Sequence, residues 1–116
     1  MIDHVYFEVM VSTAYTRGRS REYRVLQTLR RAGWCCSRSA ASHGPVDIFA
    51  GRQGQTLLIQ VKSGKARMSE SDKKVLKDWA EAYNGRAEVW HFHKRKGLNK
   101  TLIHDARDLR QVSGPL

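Results

Sequence analysis

The fold of this chain is decided by residues 46–62, VDIFAGRQGQTLLIQVK. Two apolar runs flank a glycine-bearing turn, a pattern that predicts a β-hairpin. Because side chains alternate between the faces of a strand, Gln60 and Lys62 share one face near the end of the second run. If the hairpin closes near Gly54, Asp47 lies within about two residues of the position opposite Gln60. We therefore expect Asp47, Gln60 and Lys62 to meet at one end of a sheet.

Upstream of the hairpin the apolar pattern takes the period of a helix. Ser20 can cap its N-terminus, and Gly33 marks its end. One face of this helix carries a stripe at the spacing i, i+3, i+4, i+7, which consists of Glu22, Val25, Leu26 and Leu29. Glu22 thus faces the protein body, where a carboxylate is costly unless it is paired or bound to metal. The alternative is that the helix dipole favours this acid near the helix start, where it pairs with Arg19 or another arginine.

The remaining pattern predicts an α/β fold with a mixed central sheet flanked by helices. A second helix runs from Ser69 or Ser71 to about Tyr83, and its apolar face comprises Val75, Leu76, Trp79 and Tyr83. The predicted strands are residues 34–38, 46–50, 56–62 and 87–93, with Leu102 and Ile103 pairing back after a basic turn at 94–97. The predicted organisation is one domain, 1–116, with an extended arm or strand at 1–16, a core at 17–104 and a polar tail at 105–116.

Charge and composition narrow the class of partner. The chain has 116 residues, and 21 Lys and Arg against 11 Asp and Glu give it a net charge of +10. Such a balance favours polyanions such as DNA or RNA. No apolar run is long enough to span a membrane, and no secretory signal is visible. The two cysteines, Cys35 and Cys36, are neighbours, which strains a bridge between them, so we expect reduced thiols in a cytoplasmic protein.

The expected polar group suits metal-dependent phosphodiester hydrolysis. Mg²⁺ takes oxygen ligands and keeps several waters, so one or two carboxylates suffice. Asp47 is the ligand that the pattern favours most, and the Gln60 side-chain oxygen and the Val61 carbonyl can fill further positions. Lys62 can orient water or stabilise charge in the transition state, and Glu22 can hold a metal-bound water or a second ion. The alternative is an ordinary solvated hairpin with an acid and a lysine.

Three segments carry a resemblance: RGRSRE at 17–22, RSAASHGPVD at 38–47 and LIQVK at 58–62. Over roughly residues 17–93 the chain resembles the archaeal-type Holliday junction resolvases of the PD-(D/E)XK nuclease superfamily. The resemblance implies a restriction-endonuclease-like nuclease fold. It also implies a homodimer that nicks two opposed strands of a four-way DNA junction with Mg²⁺ or Mn²⁺. By position, Glu22, Asp47 and Lys62 match the catalytic residues of the family.

The resemblance also suggests contacts to DNA and to a second copy. Arg38 and Ser42 match loop residues near the scissile phosphate, and Arg21 lies beside the helix acid. Trp79 and Tyr83 fall where the family has aromatic dimer contacts, although both rings can instead pack under the sheet. With a nuclease function accepted, the expected DNA-binding residues are Arg19, Arg21, Arg38, Ser42, His43, Lys65 and Arg67.

One residue departs from the family pattern. The family carries Glu where this chain has Gln60, which removes one negative charge and leaves a neutral oxygen. This keeps two other hypotheses open: a weakened or inactive nuclease-fold protein that binds branched DNA, and a repair or restriction-type nuclease of the same fold. A zinc site at His91 and His93 is disfavoured because no Cys or acid stands at helpful local spacing.

Overall fold

The computed structural model describes residues 14–39 and 44–106, with backbone alone for 14–18. Two helices and five strands follow in the order α1 (Ala14–Arg31), β1 (Cys35–Arg38), β2 (Ile48–Arg52), β3 (Gln55–Ser63), α2 (Glu70–Ala82), β4 (Arg86–His93) and β5 (Gly97–His104). The strands form one sheet in the spatial order β1-β2-β3-β4-β5. Only the β3–β4 pair is parallel. The predicted mixed α/β sheet flanked by helices is confirmed.

Each face of the sheet carries one helix and one apolar core. Helix α1 packs over a cluster that includes Val25, Leu29 and, from β3, Leu57 and Ile59. Helix α2 packs over the opposite cluster, where Leu76 meets Leu58, Ala80, Ala87 and Val89. The alternation along β3 therefore sends successive side chains into different cores, as the period-two pattern predicts. Full burial of one such aliphatic side chain stabilises the fold by about 1.5–3 kcal/mol.

The two helices have different ends from those that the sequence suggests. Ser20 lies inside α1, and residues 14–16 are helical, so the predicted cap at Ser20 and the arm at 14–16 are wrong. Helical propensity overrides a cap residue when the preceding backbone continues the helix. At the other end the prediction is confirmed: Gly33 has a φ of 88°, and the Trp34 N–H donates to the Leu29 carbonyl at 3.0 Å, which closes a Schellman turn.

Helix α2 begins where the sequence indicates but divides its apolar face. The Ser69 hydroxyl accepts from the Asp72 N–H at 3.1 Å and caps the helix. Leu76 and Ala80 are fully buried against the sheet, whereas the neighbouring row is exposed. That row consists of Val75, Trp79 and Tyr83, which are 42%, 37% and 51% exposed. The single predicted apolar face is thus two adjacent rows of side chains, one buried and one exposed. They separate because four residues of helix advance slightly more than one turn.

The strand boundaries also shift. The β2–β3 turn is two residues long, Gln53 and Gly54, both with positive φ, so the strands run closer to the turn than predicted. Strand β5 is longer than the predicted pair Leu102 and Ile103. The predicted polar tail is wrong at its first residue: Asp105 is buried and accepts from Arg86 at 2.8 Å. No described helix is both long and apolar enough to cross a membrane.

Candidate active site

Asp47 sits immediately before β2, at the end of the sheet where the hairpin opens. Its backbone N–H donates to the Ile59 carbonyl at 2.9 Å, and its neighbour Ile48 is the register partner of Ile59. Asp47 therefore lies within the two-residue offset from Gln60 that the hairpin count predicts. Its carboxylate Oδ2 accepts from the Val61 N–H at 2.7 Å, so the acid is fixed against the adjacent strand.

Burial and charge act against each other at Asp47. Burial raises the pKa of its carboxyl, whereas the Val61 N–H, Lys62 and Arg38 lower that pKa, and burial is the largest effect. A carboxylate held in this way is costly in its charged form unless a further positive charge approaches it. The site therefore favours a cation beside Asp47.

Glu22 projects from α1 toward the same end of the sheet. Burial raises the pKa of its carboxyl first, the Asp47 charge raises it further, and Arg38 and Arg19 lower it. Arg38 Nη1 lies 3.3 Å from Glu22 Oε1, which is the pairing with "another arginine" that the sequence left open. Because Glu22 and Asp47 influence each other electrostatically, the structure brings together two of the predicted catalytic acids from different elements.

Gln60 and Lys62 lie on the α2 face of β3. Together with Asp72 and Val75 of α2 they line a groove of about 380 Å³ between the sheet and the helix. The groove is open, so a ligand can reach both side chains. Leu58, two residues before Gln60 on the same face, is fully buried, and the face thus changes from apolar to polar within one strand.

The predicted DNA-binding residues divide into three groups. Arg38 and Arg19 each lie over the Tyr23 ring at 5.9 Å, and Arg19 also donates to the Tyr23 hydroxyl at 3.3 Å. Arg21 is half-buried on α1, whereas Lys65 and Arg67 are exposed in the segment after β3. Ser42 and His43 lie outside the described residues.

Three residues near the site were not predicted from the sequence: Tyr23, Asp72 and His91. The spacing Arg19–Tyr23, four residues on a helix, could have indicated the cation–π contact. Asp72 and His91 reach the site through the β3–α2–β4 crossover, where Lys62 is the register partner of His91. No local pattern in the sequence reveals that register.

The donor set fits a hard cation better than a soft one. Among the described residues, no three His, Cys, Asp or Glu side chains are grouped as metal ligands. This agrees with the amide at Gln60, because only two of the predicted oxygen donors there, Asp47 and Glu22, are carboxylates. A site with two acids, an amide and a backbone carbonyl suits Mg²⁺, which keeps several of its waters.

The mixed sheet flanked by helices is a restriction-endonuclease-like nuclease fold. Its characteristic residues are an acid before one strand, a polar-x-Lys pair on the next strand and an acid on the first helix. The model of the archaeal Holliday junction resolvase (Hjc) family matches residues 13–113. The chain belongs to this family.

Two relatives show how far the similarity extends. The crossover junction endodeoxyribonuclease Hjc of Methanocaldococcus jannaschii is 32% identical over 75 residues, which is 62% of this chain and 56% of that protein. The chain's match thus spans little more than half of that relative's length. The solved structure of Hjc from Archaeoglobus fulgidus, a Holliday junction resolvase, superimposes with a TM-score of 0.63 and 27% identity, covering 72% of this chain and 74% of that one.

Proposed function

We propose that this protein is a structure-selective DNA endonuclease that resolves four-way junctions by metal-dependent phosphodiester hydrolysis. The observation that carries the proposal is a chain of neighbouring side chains: the Asp47 charge acts on Glu22, the Lys62 charge acts on Asp47, and Gln60 shares a groove with Lys62. Family membership supports it, because the solved relative from Archaeoglobus fulgidus is itself a Holliday junction resolvase. The net charge of +10 gives the attraction for DNA that such a reaction needs.

Asp47 and Gln60 are the side chains that would hold Mg²⁺, or Mn²⁺ in its place, with the Val61 carbonyl as a third donor. A bound Mg²⁺ polarises the phosphate and makes water a stronger nucleophile. Asp47 is kept in position by the Val61 N–H, so its second oxygen stays available. Glu22 holds water on the α1 side, and Arg38 keeps that carboxylate turned toward the site.

Lys62 acts on the phosphate rather than on the metal. It shares the groove with Gln60, so its ammonium can approach the scissile phosphate from the α2 side. There it orients the attacking water or offsets the charge that develops on the phosphate oxygens. Neighbouring phosphates are contacted by the arginines Arg19, Arg21 and Arg38. Further phosphates are contacted by Lys65 and Arg67, which are exposed on the segment after β3.

A homodimer supplies the second cut. Resolution needs two coordinated nicks, and each chain carries one candidate site, so a two-fold dimer is the economical arrangement. Trp79 and Tyr83 stack with centroids 6.1 Å apart, and Phe49 of β2 approaches both rings at 6.3 and 6.1 Å. The exposed Trp79 and Tyr83 side chains, with the half-buried Phe49 beside them, are the contact that we propose for the second copy.

Gln60 favours a second candidate, a nuclease-fold protein that binds branched DNA with weak or no cleavage. An amide donates one neutral oxygen where a carboxylate would bring a negative charge, so the metal is held less tightly. The two candidates share the fold, the basic surface and the dimer. They differ only in the rate of hydrolysis.

One experiment separates the candidates: incubation of the protein with a labelled four-way junction and a linear duplex of the same sequence, with Mg²⁺ or with EDTA. Paired symmetric nicks in the junction alone, dependent on Mg²⁺, are the expected result. Tight binding of the junction without nicks overturns the nuclease function in favour of the binding function. Equal cutting of the linear duplex overturns junction selectivity and indicates a repair or restriction-type nuclease.

A further inference from the structure

The polar part of the α2 face does not stop at Lys62 but continues across the sheet. In the parallel pair Lys62 is the partner of His91, and in the next pair His91 faces Asn99 while His93 faces Gly97. Register partners project from the same face of a sheet. Lys62, His91, His93 and Asn99 therefore form one strip, the β4–β5 strip, which leads from the candidate active site to the edge strand.

The two histidines of this strip are held in a defined geometry. Their rings stack with centroids 4.1 Å apart and an interplanar angle of 16°. His91 Nε2 lies 2.7 Å from the Gly64 carbonyl oxygen. A carbonyl only accepts, so Nε2 carries the hydrogen and donates it. The Gly64 N–H in turn donates to the Phe92 carbonyl at 2.9 Å, which ties the turn after β3 to β4.

Neither imidazole has the partners of an ordinary core histidine. Both rings are half-buried, and within residues 14–39 and 44–106 neither is in an ion pair with a carboxylate. The other face of the same strand is different, because Trp90 and Phe92 are buried there and Lys100 covers the Trp90 ring at 4.1 Å. The stacked pair is thus directed to the open side of the sheet. The N–H of His91 is used by the Gly64 carbonyl, so the His93 ring is the one that can donate to a further acceptor.

We infer that His93 and Asn99 donate to the phosphodiester backbone of a DNA strand beyond the phosphate that is cut, while His91, bonded to the Gly64 carbonyl, holds the His93 ring by stacking. The inference rests on the proposed nuclease function, which sets the scissile phosphate beside Lys62. From β3 to β5 the strip spans roughly 10 Å at the usual strand spacing. This is enough for about two successive phosphates, which lie further apart along a strand than the roughly 3.4 Å rise per step along the helix axis. The exposed basic turn at 94–96 continues the path at the end of β4.

A metal ion explains the pair less well than DNA does. Zinc sites use three or four protein ligands, and no third His, Cys, Asp or Glu joins the pair among the described residues. His91 Nε2 is already occupied by the Gly64 carbonyl. The His93 ring, stacked on a His91 ring that is itself fixed, suits a phosphate oxygen because its one N–H needs a single acceptor.

The test measures binding without cleavage, by fluorescence anisotropy of a labelled four-way junction in EDTA, together with phosphate-ethylation interference. The double variant His91→Gln with His93→Gln removes the imidazoles and keeps polar side chains of similar size. Lys100→Gln is the matched control, since it removes a full positive charge from β5 but on the opposite face. We expect the double variant to bind roughly tenfold more weakly, which is about the net loss of one hydrogen bond to a charged oxygen. Lys100→Gln should change affinity less than about twofold.

Ethylation interference locates the contact. The wild-type protein should show interference at phosphates one or two steps from the position of the nick, and the double variant should lose it there alone. His93→Gln by itself guards against a disturbed Gly64 turn, because His93 does not bond that turn; it should still lose part of the signal. Unchanged affinity and interference in His93→Gln and in the double variant overturn the inference. So does an equal loss in Lys100→Gln, which would show a general charge effect. Failure of the wild type to bind the junction instead overturns the proposed function.

Discussion

The two faces of β3 show how one strand serves two purposes. On the α1 face its side chains stay apolar along the strand, from Leu57 through Ile59 to Val61. On the α2 face the pattern begins with buried Leu58 but changes to Gln60 and Lys62. The core on the α1 face continues to the end where the site lies, whereas the core on the α2 face gives way to an open groove.

This difference separates stability from activity in the same six residues, Leu57 to Lys62. The α1 face fixes the strand position, because displacement would expose Ile59, which is fully buried. The α2 face uses that fixed backbone to present polar side chains that gain little from folding. Asp47 and Glu22 even have raised pKa values through burial, so their charged forms oppose folding. Variants on the two faces should therefore have opposite signatures.

The largest effect is expected at the polar end of the sheet. Asp47→Asn or Lys62→Ala should lower the rate of junction cleavage by at least about 10²–10³-fold, because each removes charge that acts in the transition state. Junction affinity should remain nearly unchanged, since it arises from many phosphate contacts. Single-turnover cleavage and anisotropy measure the two quantities. Lys74→Ala, on the exposed side of α2, is the control and should retain both. Binding that falls in step with cleavage would contradict these roles.

On the α1 face the expected effect is on stability. Ile59→Ala should lower the free energy of unfolding by about 2–5 kcal/mol, because it leaves a cavity in a packed core. Gln60→Ala, one residue further along the same strand, should change that free energy by less than about 0.5 kcal/mol. Urea unfolding followed by circular dichroism provides both values. Similar losses in the two variants would mean that the two faces do not differ as described.

The exposed aromatic side chains test assembly. Trp79→Ala with Tyr83→Ala should weaken the proposed dimer by about 2 kcal/mol or more, since aromatic side chains dominate such interfaces. Sedimentation velocity should then show a folded monomer that nicks a junction once or not at all. Leu98→Ala with Leu102→Ala removes two other exposed apolar side chains, on β5, and should leave the dimer intact. A folded aromatic variant that remains dimeric would refute this interface, and an unfolded one would indicate a core role.

A smaller effect is expected from pH. Since the folded-state pKa of Asp47 is raised, the folded protein binds its proton more tightly than the unfolded chain does. Its carboxyl therefore opposes folding progressively as pH rises from the ordinary carboxyl range, near pH 4, through the raised value. In EDTA, thermal melts should show Asp47→Asn gaining stability over wild type in that interval and keeping the gain at higher pH. A gain that shrinks as pH rises would indicate a lowered pKa.

The sequence predicts the site well where its parts are close in the chain. Asp47 and Lys62 are joined by a single hairpin, so alternation and a turn near Gly54 suffice to place them near each other, and the Lys62 charge acts on Asp47. Glu22 could be recognised as a member because it interrupts an apolar stripe. The nearby amides and charges, such as the Val61 N–H that holds Asp47, follow from the same register.

Features that depend on distant pairing could not be predicted in this way. The parallel register of Lys62 with His91 is set by a crossover through α2. The pairing of Asp105 with Arg86 likewise makes a polar residue part of the packed structure. The helix cap predicted at Ser20 is wrong because a residue that caps well is also tolerated inside a helix. The conformation of the backbone before Ser20 decides which role it has.

Gln60→Glu is the most direct test of the claim that the polar end of the α2 face is a metal-dependent nuclease site. A carboxylate at residue 60 adds a negative charge at the proposed metal position. We predict that the variant needs less Mg²⁺ for half-maximal junction cleavage and binds Mn²⁺ more tightly in electron paramagnetic resonance titrations without DNA. Mg²⁺ and Mn²⁺ titrations that coincide with those of the wild type would show that residue 60 does not contact the metal, and would contradict the proposed metal site.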